Sequence, residues 1–378
     1  MNKSCTILSC LVIMLVSSCK DLYKPDVISS ANSYLVVEGV LNAGTGPTSI
    51  RLTKTFKLDD TARLQAERNA QVVVEGRDNS TKGLFMTADG IYTSPGLNLT
   101  INQEYRLRIK TANGREYLSD YIVARNTPPI DSIGWVEDEK GVNIHISTHD
   151  ASNNTRYYRW EYDETWEINS FYFSAFKYEN GVVIERPFTD NVYYCWKYDI
   201  SHSILINSSA RFETDNIYRS PLLSILRGNE KLAVRYSILA RQYALDKEGY
   251  EFYEMMKKNS ESLGSIFDPQ PSEQRGNVKC ISNPGELVIG YLSASTIEEK
   301  RIFIRRSQLN SWGFYQDCPE LLVANHPDSI AEAYQSGGSI YEAVYSPMGG
   351  GIIQYKYSYK PCVECQDRGG SNIRPSYW

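Results

Sequence analysis

The chain has 378 residues, a net charge of −5, 42% hydrophobic and 22% charged residues. This composition excludes a disordered chain, and the length suffices for two or three domains. The acidic balance gives no basic footprint for nucleic acid, and four histidines leave little material for acid–base or metal chemistry.

Lys3 supplies a positive amino-terminal region, and Thr6 to Val16 form an apolar run that includes Leu11, Val12, Ile13, Met14 and Leu15. The run is too short for a bilayer, which takes about 20 apolar residues, and has the length of a signal-peptide core. Val16-Ser17-Ser18-Cys19 then has the form of a bacterial lipobox: an aliphatic residue, two small ones and cysteine. Residues 1–18 are therefore expected to be removed and Cys19 to carry lipid, two or more acyl chains giving stable anchoring where one is marginal. Residues 19–32, polar and containing Pro25, read as a flexible tether.

Residues 33–126 read as strands. Tyr34-Leu35-Val36-Val37 is a β-rich run, Ile50 and Leu52 alternate with Arg51 and Thr53, and Val72-Val73-Val74 is a buried-type run. Tyr105, Leu107 and Ile109 alternate with Arg106, Arg108 and Lys110, the period of a half-buried strand. Asn113-Gly114 predicts a hairpin turn because both residues tolerate positive φ, with Glu116 to Val123 as the return strand. Together these predict a small β-sandwich. Asn126-Thr127-Pro128-Pro129 is the expected boundary, since prolines fix φ and withhold ladder donors.

Residues 127–378 read as a larger β-rich domain. Tyr158, Trp160, Tyr162, Trp166 and Ile168 share one parity, and Arg159, Glu161, Asp163 and Glu167 the other. This predicts a strand with an apolar core face and a charged, solvated face, interrupted only by Glu164. A strand over Leu232 to Ala240 leads to a helix near 246–260, with Asp246 as its N-cap and Leu245 and Tyr250 at the staple positions. The stretch FDPQPSEQRGN (267–277) reads as loop. Later strands are expected at Leu287–Leu292 and Arg301–Arg305, and Ile353, Tyr355, Tyr357 and Tyr359 alternate after a glycine turn. The 28 tyrosines suit such a body. The expected fold is mainly β: a sandwich, then a larger β-rich domain with a helical insertion and a cysteine-containing C-terminal tail.

Cleavage removes Cys5 and Cys10, and Cys19 goes to lipid. Cys195, Cys280, Cys318, Cys362 and Cys365 remain as disulfide candidates for an oxidising compartment. Five is odd, so at least one thiol stays free or pairs between chains. The expected bridge joins Cys318 to the Cys362/Cys365 pair and fastens the tail to the body. The C-x-x-C spacing at 362–365 lacks the helix a redox pair wants and the second pair a zinc site needs. His145 and His149 fall on an alternating strand pattern, about 13 Å apart, too far to share a metal. No G-x-S-x-G, P-loop, dinucleotide fingerprint or H-E-x-x-H occurs. No catalytic residue, cofactor or metal is expected.

The ordered landmarks are the lipobox Cys19, YLVVEG, RYYRWEYDETW, YSILARQYAL, FDPQPSEQRGN, VIGYLSAS and CVECQDRGGSNIRPSYW. Together they resemble the Bacteroidota lipoproteins grouped as domain of unknown function 4249. The resemblance implies an immunoglobulin-like or transthyretin-like first domain, an outer-membrane location, and a gene beside that of a TonB-dependent receptor. Lys20-Asp21 resembles part of the signal that exports such lipoproteins to the cell surface, the periplasmic face being the alternative. The expected function is a non-catalytic accessory or ligand-binding subunit of a TonB-dependent β-barrel, taking a nutrient, peptide or glycan. The alternatives are an envelope structural or assembly factor and a hydrolase with a non-standard site.

Overall fold

The computed structural model describes residues 34–55, 65–261 and 276–378. The expected signal peptide, lipid-bearing Cys19 and tether lie outside the described residues, as does most of 267–277.

The protein is mainly β. In the first body Leu35–Asn42 pairs antiparallel with Thr48–Lys54, which pairs in turn with Ile91–Ser94. Gln71–Gly76 lies between Thr81–Ala88 and Glu104–Lys110, and Glu116–Ser119 follows beside the last of these. Alternation puts Leu35, Val37, Ile50, Leu52, Leu107 and Ile109 into one core. Their outward neighbours pair across strands: Glu75 accepts from Arg106 at 2.8 Å and Arg108 at 2.6 Å. The Asn113-Gly114 turn forms, but only Gly114 uses positive φ (85°). The side chain of Asn113 instead accepts from the Thr111 hydroxyl at 2.6 Å.

Part of the segment 127–378 returns to the first body. Val278–Cys280 pairs with Glu116–Ser119, and Val288–Ile289 and Ser293–Ser295 run parallel to Leu35–Asn42. An edge strand exposes a row of unpaired amides and carbonyls, and the returning chain covers it. The strand expected over Leu287–Leu292 breaks at Gly290, at φ +124°, where an added Cβ would stand 1.9 Å from the Val37 carbonyl oxygen. That approach requires glycine.

After Pro128-Pro129 a second body begins. Ile130–Glu137, Gly141–Thr148 and Ile217–Leu226 form one sheet. A second sheet takes the order Tyr194–Ile200, Tyr157–Asn169, Arg235–Leu245, Ile297–Arg305. Tyr158, Trp160, Tyr162, Trp166 and Ile168 meet Ile144, Ile146 and Ile225 in a shared core. The helix Lys247–Glu261 follows, with Asp246 Oδ1 accepting from the Gly249 amide at 2.8 Å. A small third sheet of Leu321–Ala324, Ile352–Tyr359 and Gly338–Tyr345 packs with the helix Pro327–Gln335. Along Ile352–Tyr359 the period is incomplete: Tyr355 is buried, while Ile353 and Tyr359 are exposed.

Candidate functional site

The charged face of Tyr157–Asn169 is not simply solvated. Strand register aligns it in rows with its neighbours: Arg159 beside Tyr243 and Ile297, Glu161 beside Arg241 and Glu299, Asp163 beside Leu239 and Arg301. Two further rows follow, Thr165 with Ser237 and Phe303, and Glu167 with Arg235 and Arg305. The face is the floor of a groove. The first body supplies one wall through Glu38, Gly39, Ser49 and Arg51. The helix Lys247–Glu261 covers the first row, with Tyr253 stacked on the Arg159 guanidinium at 4.8 Å and Tyr243 on it at 4.6 Å. The open part comprises two cavities of about 490 and 760 Å³ that share Ser49, Arg159, Glu161 and Arg241.

Charges on this floor compensate one another. Arg241 donates through Nη1 to Asp163 at 2.8 Å and through Nε to Glu299 at 2.9 Å. Glu161 accepts from Arg159 at 2.7 Å and from the Tyr243 hydroxyl at 2.8 Å. Burial, and then the Glu161 carboxylate, push the Tyr243 hydroxyl well above its ordinary range, so it stays protonated and donating. Glu298, at the larger cavity, has its carboxyl raised by burial. The surface thus offers fixed donors and acceptors flanked by aromatic rings.

Behind the floor lies Glu164, the residue that breaks the apolar parity. It is 2% exposed and accepts from Lys231 Nζ at 2.6 Å and the Tyr236 hydroxyl at 2.6 Å. Lys231 also reaches Asp199 at 3.1 Å, and Asp199 accepts from His202, which lines the groove. Burial raises the Asp199 carboxyl, but the hydrogen bonds from His202 and Lys231 outweigh it and hold it below the usual value.

At the other end the groove is filled by the chain itself. The Tyr377 hydroxyl lies 2.7 Å from Thr165 Oγ1, and the Arg301 guanidinium sits 3.7 Å over the Tyr377 ring. Trp378 Nε1 donates to Glu167 at 3.1 Å, and its ring meets Phe303 and Trp196 edge-on.

The cysteines resolve into Cys195–Cys365 and Cys318–Cys362, with Cys280 a free, buried thiol. The two halves of C-x-x-C therefore have different partners, and Cys280 leaves the set of bridge candidates. Its strand, Val278–Cys280, belongs to the first body, whereas Cys195 lies on Tyr194–Ile200, Cys318 just before Leu321–Ala324, and Cys362 and Cys365 in the tail. Among the described residues no cluster of three or more His, Cys, Asp and Glu could hold a metal. His145 and His149 lie on and just beyond Gly141–Thr148. The Asp131 carboxylate, 2.8 Å from His149 Nδ1, raises the His149 pKa, while burial, and then Arg219, lower that of His145. A proton NMR titration should accordingly show His149 titrating above 6.5 and His145 below it. Stabilisation through His149 is full below 6.5 and lost as pH rises through its folded value. That through neutral His145 is lost as pH falls through its own.

The family model described as domain of unknown function (DUF4249) matches residues 20–301. This chain belongs to the DUF4249 family. A search of curated proteins finds no match to this DUF4249 member. Among solved structures it is similar to a "putative carbohydrate binding protein" from Bacteroides uniformis, at 11% identity, over 56% of this chain and 90% of that one. The TM-score is 0.16, far below that of a shared architecture. No helix among the described residues is long and apolar enough to cross a membrane.

Single positions in the sequence point to the floor residues, but not to the groove. Residues 276–295 return to pair with Leu35–Asn42, and Gly39 and Ser49 of the first body line a cavity with Arg159 and Arg241.

Proposed function

We propose that this DUF4249 protein is a non-catalytic binding subunit, anchored at the outer membrane through lipidated Cys19 and serving a TonB-dependent transporter. The observation that carries the binding role is the groove between the first body and the floor sheet. Its alternating Arg241, Asp163, Glu161 and Ser49 beside Tyr243 and Tyr253 suit a ligand rich in hydroxyls or amides, a glycan or a peptide. The non-catalytic reading is supported by the pairing of the floor carboxylates. Asp163 is held by Arg241, and Glu161 by Arg159 and Tyr243, which suits fixed acceptors better than a proton-transferring pair. The gene neighbourhood that the resemblance implies supports the transporter part of the proposal.

Affinity purification of the tagged chain from solubilised outer membrane is expected to bring down a large β-barrel. Repeated recovery without one would sink the transporter reading. A second reading, an envelope assembly factor, is favoured by rings that touch in series, the exposed Phe173 and Tyr194 on either side of the half-buried Tyr193. Gene deletion separates the two, since a growth defect on one nutrient supports transport and general envelope fragility supports assembly.

A further inference from the structure

The occupied end of the groove carries an inference of its own, which rests on the binding reading above and extends it. Ser371–Trp378 behaves as a bound peptide whose linker happens to be the same chain. Its backbone adds to the outer edge of Tyr194–Ile200, with Trp196 and Ser371 exchanging amide–carbonyl bonds at 2.8 and 2.9 Å. This is strand addition at a single residue. Its side chains then anchor as peptide side chains do. Tyr377 fills the row at Thr165 beneath Arg301, and Trp378 fills the row at Glu167 against Arg235 and Phe303. Upstream, the Cys195–Cys365 bridge ties the segment to the same edge strand.

The fit is incomplete. Arg235 Nε and Trp196 Nε1 are both buried beneath this segment, and neither has a hydrogen-bond acceptor. Buried donors are almost always satisfied, so a segment that brings an acceptor to this spot would replace the resident one at an advantage. Beyond Trp196, Tyr198 and Ile200 remain exposed on the same strand and lead into the open cavity, where Ile200 is a lining residue.

We propose that this end of the groove is a peptide-binding site. Its ligand is an extended segment with two adjacent aromatic residues, and the chain's own Tyr377-Trp378 occupies it in the resting state. An incoming peptide displaces the resident pair, and the site becomes continuous with the open cavities.

The test compares the full mature chain with its Y377A/W378A variant. The probe is the synthetic octapeptide SNIRPSYW, with SNIRPSAA as control, titrated by calorimetry. A tethered competitor at roughly millimolar effective concentration should weaken binding of the octapeptide to the intact chain by about tenfold or more relative to the variant. The control peptide should bind neither. A folded variant that ignores the octapeptide overturns the proposal. Should the variant fail to fold, hydrogen exchange on the intact chain decides. Exchange at Ser371 at least about 100-fold faster than at Trp160 supports a displaceable segment, and equal protection overturns it. Loss of octapeptide binding with Arg241-dependent ligand capture intact confines recognition to the open half. Loss of both removes the groove reading itself.

Discussion

Replacing Lys231 with methionine is expected to cost about 3–5 kcal/mol of folding stability. Glu164 is buried in an aromatic core beside Tyr162 and Trp166, and the Lys231 ammonium is the charge that compensates it. Lys231 also stacks on the Trp166 ring at 4.9 Å. The variant keeps much of the apolar stem but strands a carboxylate with only the Tyr236 hydroxyl as donor. Urea unfolding followed by tryptophan fluorescence checks the size. The double variant K231M/E164L should recover most of the loss, because removing both members of a buried pair is often near neutral. A loss under about 1 kcal/mol for K231M would place the pair among weak surface bridges and contradict its reading as a buried, compensated pair.

Removing the Cys195–Cys365 bridge as C195A/C365A is expected to cost about 2–5 kcal/mol. The bridge closes a separation of 170 residues, against 44 for Cys318–Cys362. The loop-entropy relation therefore puts its loss about 1 kcal/mol above that of C318A/C362A. Unfolding of the two variants under non-reducing conditions gives the comparison. The larger consequence is local. Arg368 donates to Glu230 and to the Asn169 carbonyl oxygen, and both contacts lie just beyond Cys365. Losing the bridge loosens the segment that delivers Tyr377 and Trp378 to the groove.

Much of the fold was legible because period and punctuation act locally. The alternation of Tyr105, Leu107 and Ile109, the Asp246 cap and the prolines at 128–129 each state their structure within a few residues. The return of 276–295 to the first body was not legible. It answers an open edge on Leu35–Asn42, which lies more than 230 positions away in the chain, and no local pattern encodes that need. The charged face of Tyr157–Asn169 was read correctly as a face and incorrectly as solvated. Parity fixes which way Arg159 and Asp163 point, but what lies opposite them is decided by tertiary packing. Glu164 gave the clearest signal, a carboxylate in an apolar parity, although its partner Lys231 could be found only in three dimensions. The cysteine pairing likewise needed the fold, since Cys362 and Cys365, three apart, bridge to different partners, Cys318 and Cys195.

If the floor of this groove holds a ligand, binding depends on Arg241. Native mass spectrometry of the chain, purified from its own envelope and compared with R241A, measures this directly. R241A frees Asp163 and Glu299 and removes the central donor of the floor without touching the aromatic core. The expected result is a bound small-molecule or peptide adduct on the unmodified chain that is lost or weakened at least about tenfold in R241A, as removal of a charged hydrogen bond implies. An adduct of equal occupancy on both proteins would contradict it and place recognition elsewhere on the molecule.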